Sequence, residues 1–308
     1  RVEAICAEEG TLKVVDDLTA EPAVSDIERV LHEVEGDHPD LVVGLGGGSV
    51  MDAAKLASIL IGADYTLHDL LADASVAKKQ VRSVMIPTTC GTGSEATCNA
   101  IVAIPEESSK KGIVNSCMIS DYVILDVTMI AQLPPKIIAA TGVDALAHCV
   151  ECYTSKKATM LSDPYAKEGA RKIFHNIRRA FSTAGDLAAK QEMLLGAYYG
   201  GIAITGSGTT AVHALSYPLK YHIAHGVSNA ILFAHVMEFN KDACAERLAE
   251  LCDAVFPELA GKSVEEKADH IIAEIAAIVR DTEIPTSLEE FGVQPEDIDF
   301  LVTAGSQQ

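Results

Sequence analysis

The amino-acid sequence predicts an α/β half followed by an all-helical half, and three observations carry that prediction. Strand-length apolar runs such as Leu41-Val-Val-Gly-Leu45 and Ser83-Val-Met-Ile86 are confined to the stretch before about residue 127. Two of these runs pass directly into turns made of glycine and hydroxyl residues, as strands do when they alternate with helices in a mostly parallel sheet. Beyond residue 127, apolar residues recur at helical spacing in one segment after another.

Composition sets the outer bounds. A chain of 308 residues with 48% apolar content is long enough for one large or two medium cores. Its 44 acidic and 24 basic residues give a formal charge of −20, and no Lys/Arg run exceeds two, which argues against nucleic acid or an anionic membrane as partner. Eight cysteines are scattered along the chain, so they are expected to be reduced thiols in a cytoplasmic protein, with no disulfide. Cys149 and Cys152 have redox or zinc spacing but stand mid-helix without a second such pair, and are read as structural. No apolar run reaches the roughly 18 residues needed to span a bilayer. No basic-apolar-small signal opens the chain.

The elements follow in order. Residues 1–10 have a short helical pattern ending in glycine, and Leu12-Lys-Val-Val15 is strand-like. Residues 25–35 show helical periodicity after Ser25, whose third successor is Glu28, a capping-box arrangement. The strand at 41–45 runs into Gly46-Gly-Gly-Ser49, and residues 50–60 read as helix. Strand, glycine turn and helix together expose backbone N–H groups and the positive helix end to a phosphate. The glycines have an alternative, steric reading, since the turn is neither a Walker loop nor GxGxxG. The strand at 83–86 ends in Pro87-Thr-Thr-Cys-Gly-Thr-Gly-Ser-Glu95. Ligands gather outside the carboxyl ends of such strands, so Thr88, Thr89, Thr92 and Ser94 are candidate cofactor donors, unless they only satisfy their own turn. Residues 97–104 and 113–118 read as strands joined by a charged loop, and 122–126 as one more strand. Helices are expected at 134–153, 161–182, 186–204, 209–216, 228–237, 241–256 and 263–280, with a short one at 295–304.

Polar residues on the apolar faces of the helical half are the informative ones. Asp144 lies among Val143, Ala145, Leu146 and Ala147, and an isolated buried carboxylate costs several kcal/mol unless paired, protonated or metal-bound. His148, four residues on, shares its face. The pair alone reads equally as a plain hydrogen bond or as half a metal site. A later stretch places His213, His222 and His225 within thirteen residues, with His213 expected on a helix and His225 in the turn after it. Asp144, His148, His213 and His225 together would form an N3O set acceptable to Zn²⁺ or Fe²⁺, with a position left for water or substrate.

Gly46-Gly-Gly-Ser-Val-Met-Asp-Ala-Ala-Lys55, Pro87 to Glu95, Thr141-Gly-Val-Asp-Ala-Leu-Ala-His148, and His213-Ala-Leu-Ser-Tyr-Pro-Leu219 followed by His225-Gly together resemble the iron-containing (group III) alcohol dehydrogenases. The resemblance covers roughly residues 40 to 240, with the motifs in the right order. It implies a dehydroquinate synthase-like architecture: a Rossmann-like dinucleotide-binding α/β domain, placed at 1–127, and a helical metal-binding domain, placed at 128–308. It implies reversible NAD- or NADP-dependent interconversion of a primary alcohol and an aldehyde in the cleft between them. The metal ligands it implies are Asp144, His148, His213 and His225, holding Fe²⁺, with Zn²⁺ or Mn²⁺ as alternatives. For the cofactor it implies Gly46, Gly47, Gly48 and Ser49 at the pyrophosphate turn, with Asp52, Thr88, Thr89, Ser94 and Lys111 as further contacts. A cytoplasmic homo-oligomer, dimer or larger, acting on a small molecule is the implied assembly.

The sequence departs from that pattern in places. Family members often carry two glycines after the Pro-Leu step, whereas Lys220 follows Leu219 directly. The family's first strand and final helical segment are expected to be missing. A histidine that some members use as a proton relay is replaced by Tyr217, with His222 as a substitute candidate. Side chains near Cys98, Asn99, Cys149, Cys152 and Tyr217 are expected to line the pocket. A polyol dehydrogenase on the same scaffold, a metal-dependent hydrolase whose glycine turn holds a substrate phosphate, and a binding protein without turnover are the alternatives.

Overall fold

A computed structural model describes residues 2–105, 109–219 and 223–306. After a first helix α1 (Val2–Glu9), the Leu12–Val15 stretch forms no strand, because Leu12 and Val14 are exposed and pair with no strand among the described residues. Helix α2 (Val24–Glu33) begins one residue before Ser25. The cap comes from Asp26, whose carboxylate accepts the Ala23 N–H at 2.9 Å, and not from the expected Ser25 and Glu28.

Strand β1 (Leu41–Gly46), helix α3 (Gly48–Leu60) and, after a short α4 (Leu67–Ala72), strand β2 (Arg82–Pro87) form a parallel crossover unit. The register pairs Gly46 with Pro87, so both carboxyl ends open at the same edge and the two polar loops lie side by side. Strands β3 (Asn99–Ile104) and β4 (Ser109–Val114) form a separate antiparallel hairpin. Strand β4 begins inside the expected loop. Past it, the Asn115 side chain accepts the Cys117 N–H at 2.9 Å and turns residues 116–118 into a 3-10 turn, not strand. Strand β5 (Tyr122–Val123) joins β2 in the order β1-β2-β5 and is shorter than expected, because Asp126 caps a 3-10 turn over Val127–Ile130.

From there the described chain is helical: α5 (Pro135–Thr154), α6 (Asp163–Ser182), α7 (Leu187–Ser207), α8 (Ala211–Ser216), α9 (His225–Val255), α10 (Val264–Asp281) and α11 (Ile298–Gly305). Pro135 starts α5, where a missing N–H leaves nothing unpaired. The two helices expected at 228–237 and 241–256 are one helix broken at Cys244, whose φ is −133°. Two principal apolar clusters result. One gathers Ile27, Leu56, Ile59, Val102 and Ile113; the other is built from α5, α6, α7, α9 and α10 and includes Cys90 from the loop after β2. That loop approaches α7 backbone to backbone. Gly93 has φ +60°, and a side-chain carbon there would stand 2.5 Å from the Ala197 carbonyl oxygen and 2.7 Å from Gly201 Cα, so only glycine fits.

Candidate metal and cofactor cleft

Helix α5 carries Asp144, His148 and Glu151 at spacings of four and three, one stripe facing α8 and α9. All three are buried. Helix α8 supplies His213. His225 comes from the first residue of α9 and not from a turn before it, because the Ala224 carbonyl accepts the Val227 and Ser228 N–H groups and starts the helix there. Around Asp144 Oδ1 stand the Nε2 atoms of His213 at 3.5 Å, His225 at 3.7 Å and His148 at 3.9 Å. Asp144, His213 and His225 each offer one ligand atom within 4.8 Å of the others. His148 is outside that group, with its ring stacked on His213 at 4.6 Å between centroids. Its buried Nδ1 has no hydrogen-bond partner among the described residues.

The charges follow from these contacts. Burial would raise the Asp144 carboxyl, but His148, His225 and His213 outweigh it and hold the group well below the ordinary carboxylate range. Burial pushes His148 down to about 4 and also lowers His225. For His213 burial acts the same way, yet Glu151 and Asp144 on either side reverse it and raise the group. A buried carboxylate oxygen and imidazole nitrogens, with no thiolate among them, suit a divalent ion of intermediate hardness such as Fe²⁺ or Zn²⁺.

Two residues of this cluster escaped the sequence reading. Glu151 is one. The other is Asn229, four residues after His225, whose Nδ2 donates to Asp144 Oδ1 at 2.7 Å and lies 3.1 and 3.2 Å from Nε2 of His213 and His225. Helical spacing from His148 and His225 was the signal that could have found them.

The cluster forms one wall of a cavity of about 190 Å³, with Tyr217 stacked on His225 at 5.7 Å. The opposite wall is the start of α3, with Gly48, Ser49 and Asp52, and beside it Thr92 and Ser94 from the loop after β2. Helix α3 has no side-chain cap at Gly47, so its N-terminus meets the cavity as an anion site would. Gly46, Gly47, Thr88 and Thr89 are not in the lining: the Thr88 N–H donates to Gly46 O at 2.9 Å, and Thr89 backs Gly47. These residues shape the turn from beneath. Asp52 is committed to the protein, accepting from the Ser94 hydroxyl and from the Ile101 N–H at 2.9 Å, with the fully buried Lys55 ammonium at 3.1 Å.

Lys111 is not in the cavity lining. Along β4 successive side chains alternate in direction, and it is Lys110 that lines the cavity, bonded to Glu21 at 2.6 Å, while Lys111 is exposed. Glu21 lines the same cavity. It is held in place by its N–H bond to Ser49 Oγ at 3.0 Å and by a bridge between Ala23 and Ala103. Asn99 and Tyr217 line the cavity as expected, but Cys98 does not, and Cys149 and Cys152 are buried in the helical core. Burial raises both of those thiols, Cys152 to about 12, in keeping with a structural role. His222 lies outside the described residues.

Comparisons with known proteins give the family and the fold. The family pattern described as iron-containing alcohol dehydrogenase matches residues 1–127, and that described as the C-terminal part of the Fe-containing alcohol dehydrogenase family matches residues 138–308. The chain is 34% identical over 303 residues to long-chain-alcohol dehydrogenase 1 of Geobacillus thermodenitrificans (strain NG80-2), covering 97% of this chain and 76% of that protein. It is 32% identical to lactaldehyde reductase of Escherichia coli (strain K12), covering 94% and 77%. Among solved structures, a 1,3-propanediol oxidoreductase superposes with a TM-score of 0.94 at 27% identity, covering all of this chain and 81% of that one. Sulfoacetaldehyde reductase from Bifidobacterium kashiwanohense, solved with NAD⁺, gives 0.88 at 26% identity, covering 99% and 80%. With both halves matched in order and the histidine-aspartate cluster set against the glycine turn, the chain belongs to the iron-containing alcohol dehydrogenase family.

Proposed function

We propose that this chain interconverts a primary alcohol and its aldehyde, with Asp144, His148, His213 and His225 holding a divalent iron and the turn at 46–49 receiving a nicotinamide dinucleotide. The observation that carries the reading is a single cavity lined on one side by Asp144, His213 and His225 and on the other by the uncapped start of α3. When bound, the iron supplies Lewis acidity toward the substrate oxygen and the nicotinamide supplies or accepts the hydride.

What the chain itself contributes is charge and placement. Asp144 stays ionised because three imidazoles surround it, and Asn229 holds its oxygen toward them. Gly48 and Ser49 present a helix start without a side-chain cap to a phosphate, with Lys110 and Glu21 paired across the cavity rim. Lys55, bonded to Ser94 O, Thr97 Oγ1 and Asn99 O, fixes the loop after β2 against α3, so the wall facing the Asp144 cluster keeps its shape. We place the division between the halves at residue 127, supported by two apolar clusters, one lying wholly before it and the other built mainly after it. Seven free cysteines among the described residues support a reducing, cytoplasmic setting. No helix among them is long and apolar enough to cross a membrane. A homo-oligomer is part of the same proposal, and light scattering reads it.

The test is to load the purified chain with Fe²⁺ under anaerobic conditions and follow NADH and NADPH absorbance with a panel of aldehydes. Turnover that a chelator removes and iron restores is expected. Absence of nucleotide oxidation in the loaded protein, with hydrolysis of phosphate esters instead, would overturn the reading in favour of a hydrolase.

A further inference from the structure

We propose that Glu151 is a positioning residue for the metal centre, holding His213 in the tautomer that leaves Nε2 free for the ion. The role rests on the metal reading above. It stands on the geometry of one carboxylate with no solvent contact. Its Oε1 accepts the Thr210 N–H at 3.0 Å, the Thr210 hydroxyl at 2.7 Å and the Val212 N–H at 2.9 Å. Those bonds cap α8, whose own N-cap residue, Thr210, makes no side-chain cap bond. With Oε1 filled, Oε2 is left for Nδ1 of His213, and the two atoms are in short contact.

An ionised carboxylate can only accept, so the shared proton belongs to Nδ1 and the other ring nitrogen points at Asp144 Oδ1, 3.5 Å away. Glu151 thereby does two things with two oxygens: one orients the helix that carries His213, and the other fixes which nitrogen of that histidine can bind metal. Partners of this kind, behind a ligating histidine, set both ring orientation and ligand basicity. Among the described residues His148 has no such support at its Nδ1, so the two stacked rings would hold an ion unequally.

Glu151→Gln separates the two tasks. A carboxamide has one acceptor oxygen. If that oxygen stays with Thr210 and Val212, the cap survives, but an NH₂ faces Nδ1, and His213 must then carry its proton on Nε2. Wild type, Glu151→Gln and Thr210→Ala are each prepared metal-free, and three quantities are read: thermal melting, Zn²⁺ affinity by chelator competition, and, at a pH where the His213 ring is neutral, its ring ¹⁵N shifts. For Glu151→Gln the expected result is near-wild-type melting with Zn²⁺ binding about 10- to 100-fold weaker and the proton moved to Nε2. Thr210→Ala, which removes one hydroxyl donor from Oε1 and leaves the Oε2 contact with His213 in place, is expected to lower the melting temperature while Zn²⁺ affinity and tautomer stay as in wild type.

Equal Zn²⁺ affinity in Glu151→Gln and wild type would overturn the proposal, as would Thr210→Ala losing affinity to the same extent. Should Glu151→Gln fail to fold, the zinc-loaded wild type still decides: a proton on Nδ1 with zinc on Nε2 supports the role, and the reverse tautomer sinks it. A wild-type protein that takes up no zinc or iron at all defeats the metal reading itself, a different outcome from the ones above.

Discussion

Gly226 and Ala140 meet backbone to backbone where α9 starts across α5: a methyl group on Gly226 would overlap the Ala140 carbonyl and stand 3.4 Å from Asp144 Cβ. This close approach brings His225 to Asp144. Gly226→Ala therefore has to push the start of α9 off α5, at a cost of about 1–3 kcal/mol for overpacking. We expect a lower melting temperature and at least about tenfold weaker metal retention, since the donor set lies within small tolerances. Metal content after dialysis against a chelator is the check, and a variant that keeps its metal like wild type refutes the link.

His148 is the ligand candidate that the geometry leaves furthest from the others. His148→Ala is expected to abolish metal retention and turnover while leaving the circular dichroism spectrum unchanged. Full activity in a metal-free His148→Ala protein would remove this residue from the site.

The two lysines of β4 point in opposite directions, and only Lys110 meets the cavity. Loss of a charge-assisted contact from Lys110→Ala should weaken NADH binding by roughly tenfold. Lys111→Ala should bind as wild type does. Fluorescence titration with NADH distinguishes them, and equal effects would contradict the alternation.

Lys55 is fully buried, with its ammonium among Asp52, Ser94, Thr97 and Asn99. Lys55→Met keeps the volume but leaves the Asp52 carboxylate and two carbonyls without their cation, which costs about 3–5 kcal/mol. Urea unfolding measures it. A loss under about 1 kcal/mol would mean that water replaces the ammonium.

Burial raises the Glu95 carboxyl from 4.5 to about 7, against smaller lowering from its own backbone and Lys55. A carboxyl raised in the folded state contributes stability that is complete below its unfolded pKa and is lost as pH climbs through the folded one. Its window here runs from about pH 4.5 to 7, and the shift corresponds to roughly 3 kcal/mol. Glu95→Gln should flatten that part of the stability profile relative to wild type. Parallel melting curves for the two proteins from pH 5 to 8 would count against a buried, titrating Glu95.

Some of this protein is legible in the sequence alone. The strand–glycine–helix order at 41–60 and the Asp144/His148 spacing are local facts, because the pitch of a helix and the reach of a tight turn are set within a few residues. Periodicity likewise placed the long helices; the strand readings overran where one side chain intervened, as Asn115 and Asp126 do, and at Leu12–Val15, where no partner strand pairs with the segment among the described residues. The meeting of Asp144 with His213 and His225 was suggested by family resemblance, but its geometry needed the fold, since it depends on α5, α8 and α9 packing at a glycine contact 86 residues apart in sequence. The same holds for Lys110 against Lys111, where a one-residue shift in strand register reverses the face. Glu151 shows the division most clearly. Its stripe position can be read from spacing to His148, but its bonds to Thr210, Val212 and His213 cross some sixty residues, and only the packed structure decides which oxygen meets which donor.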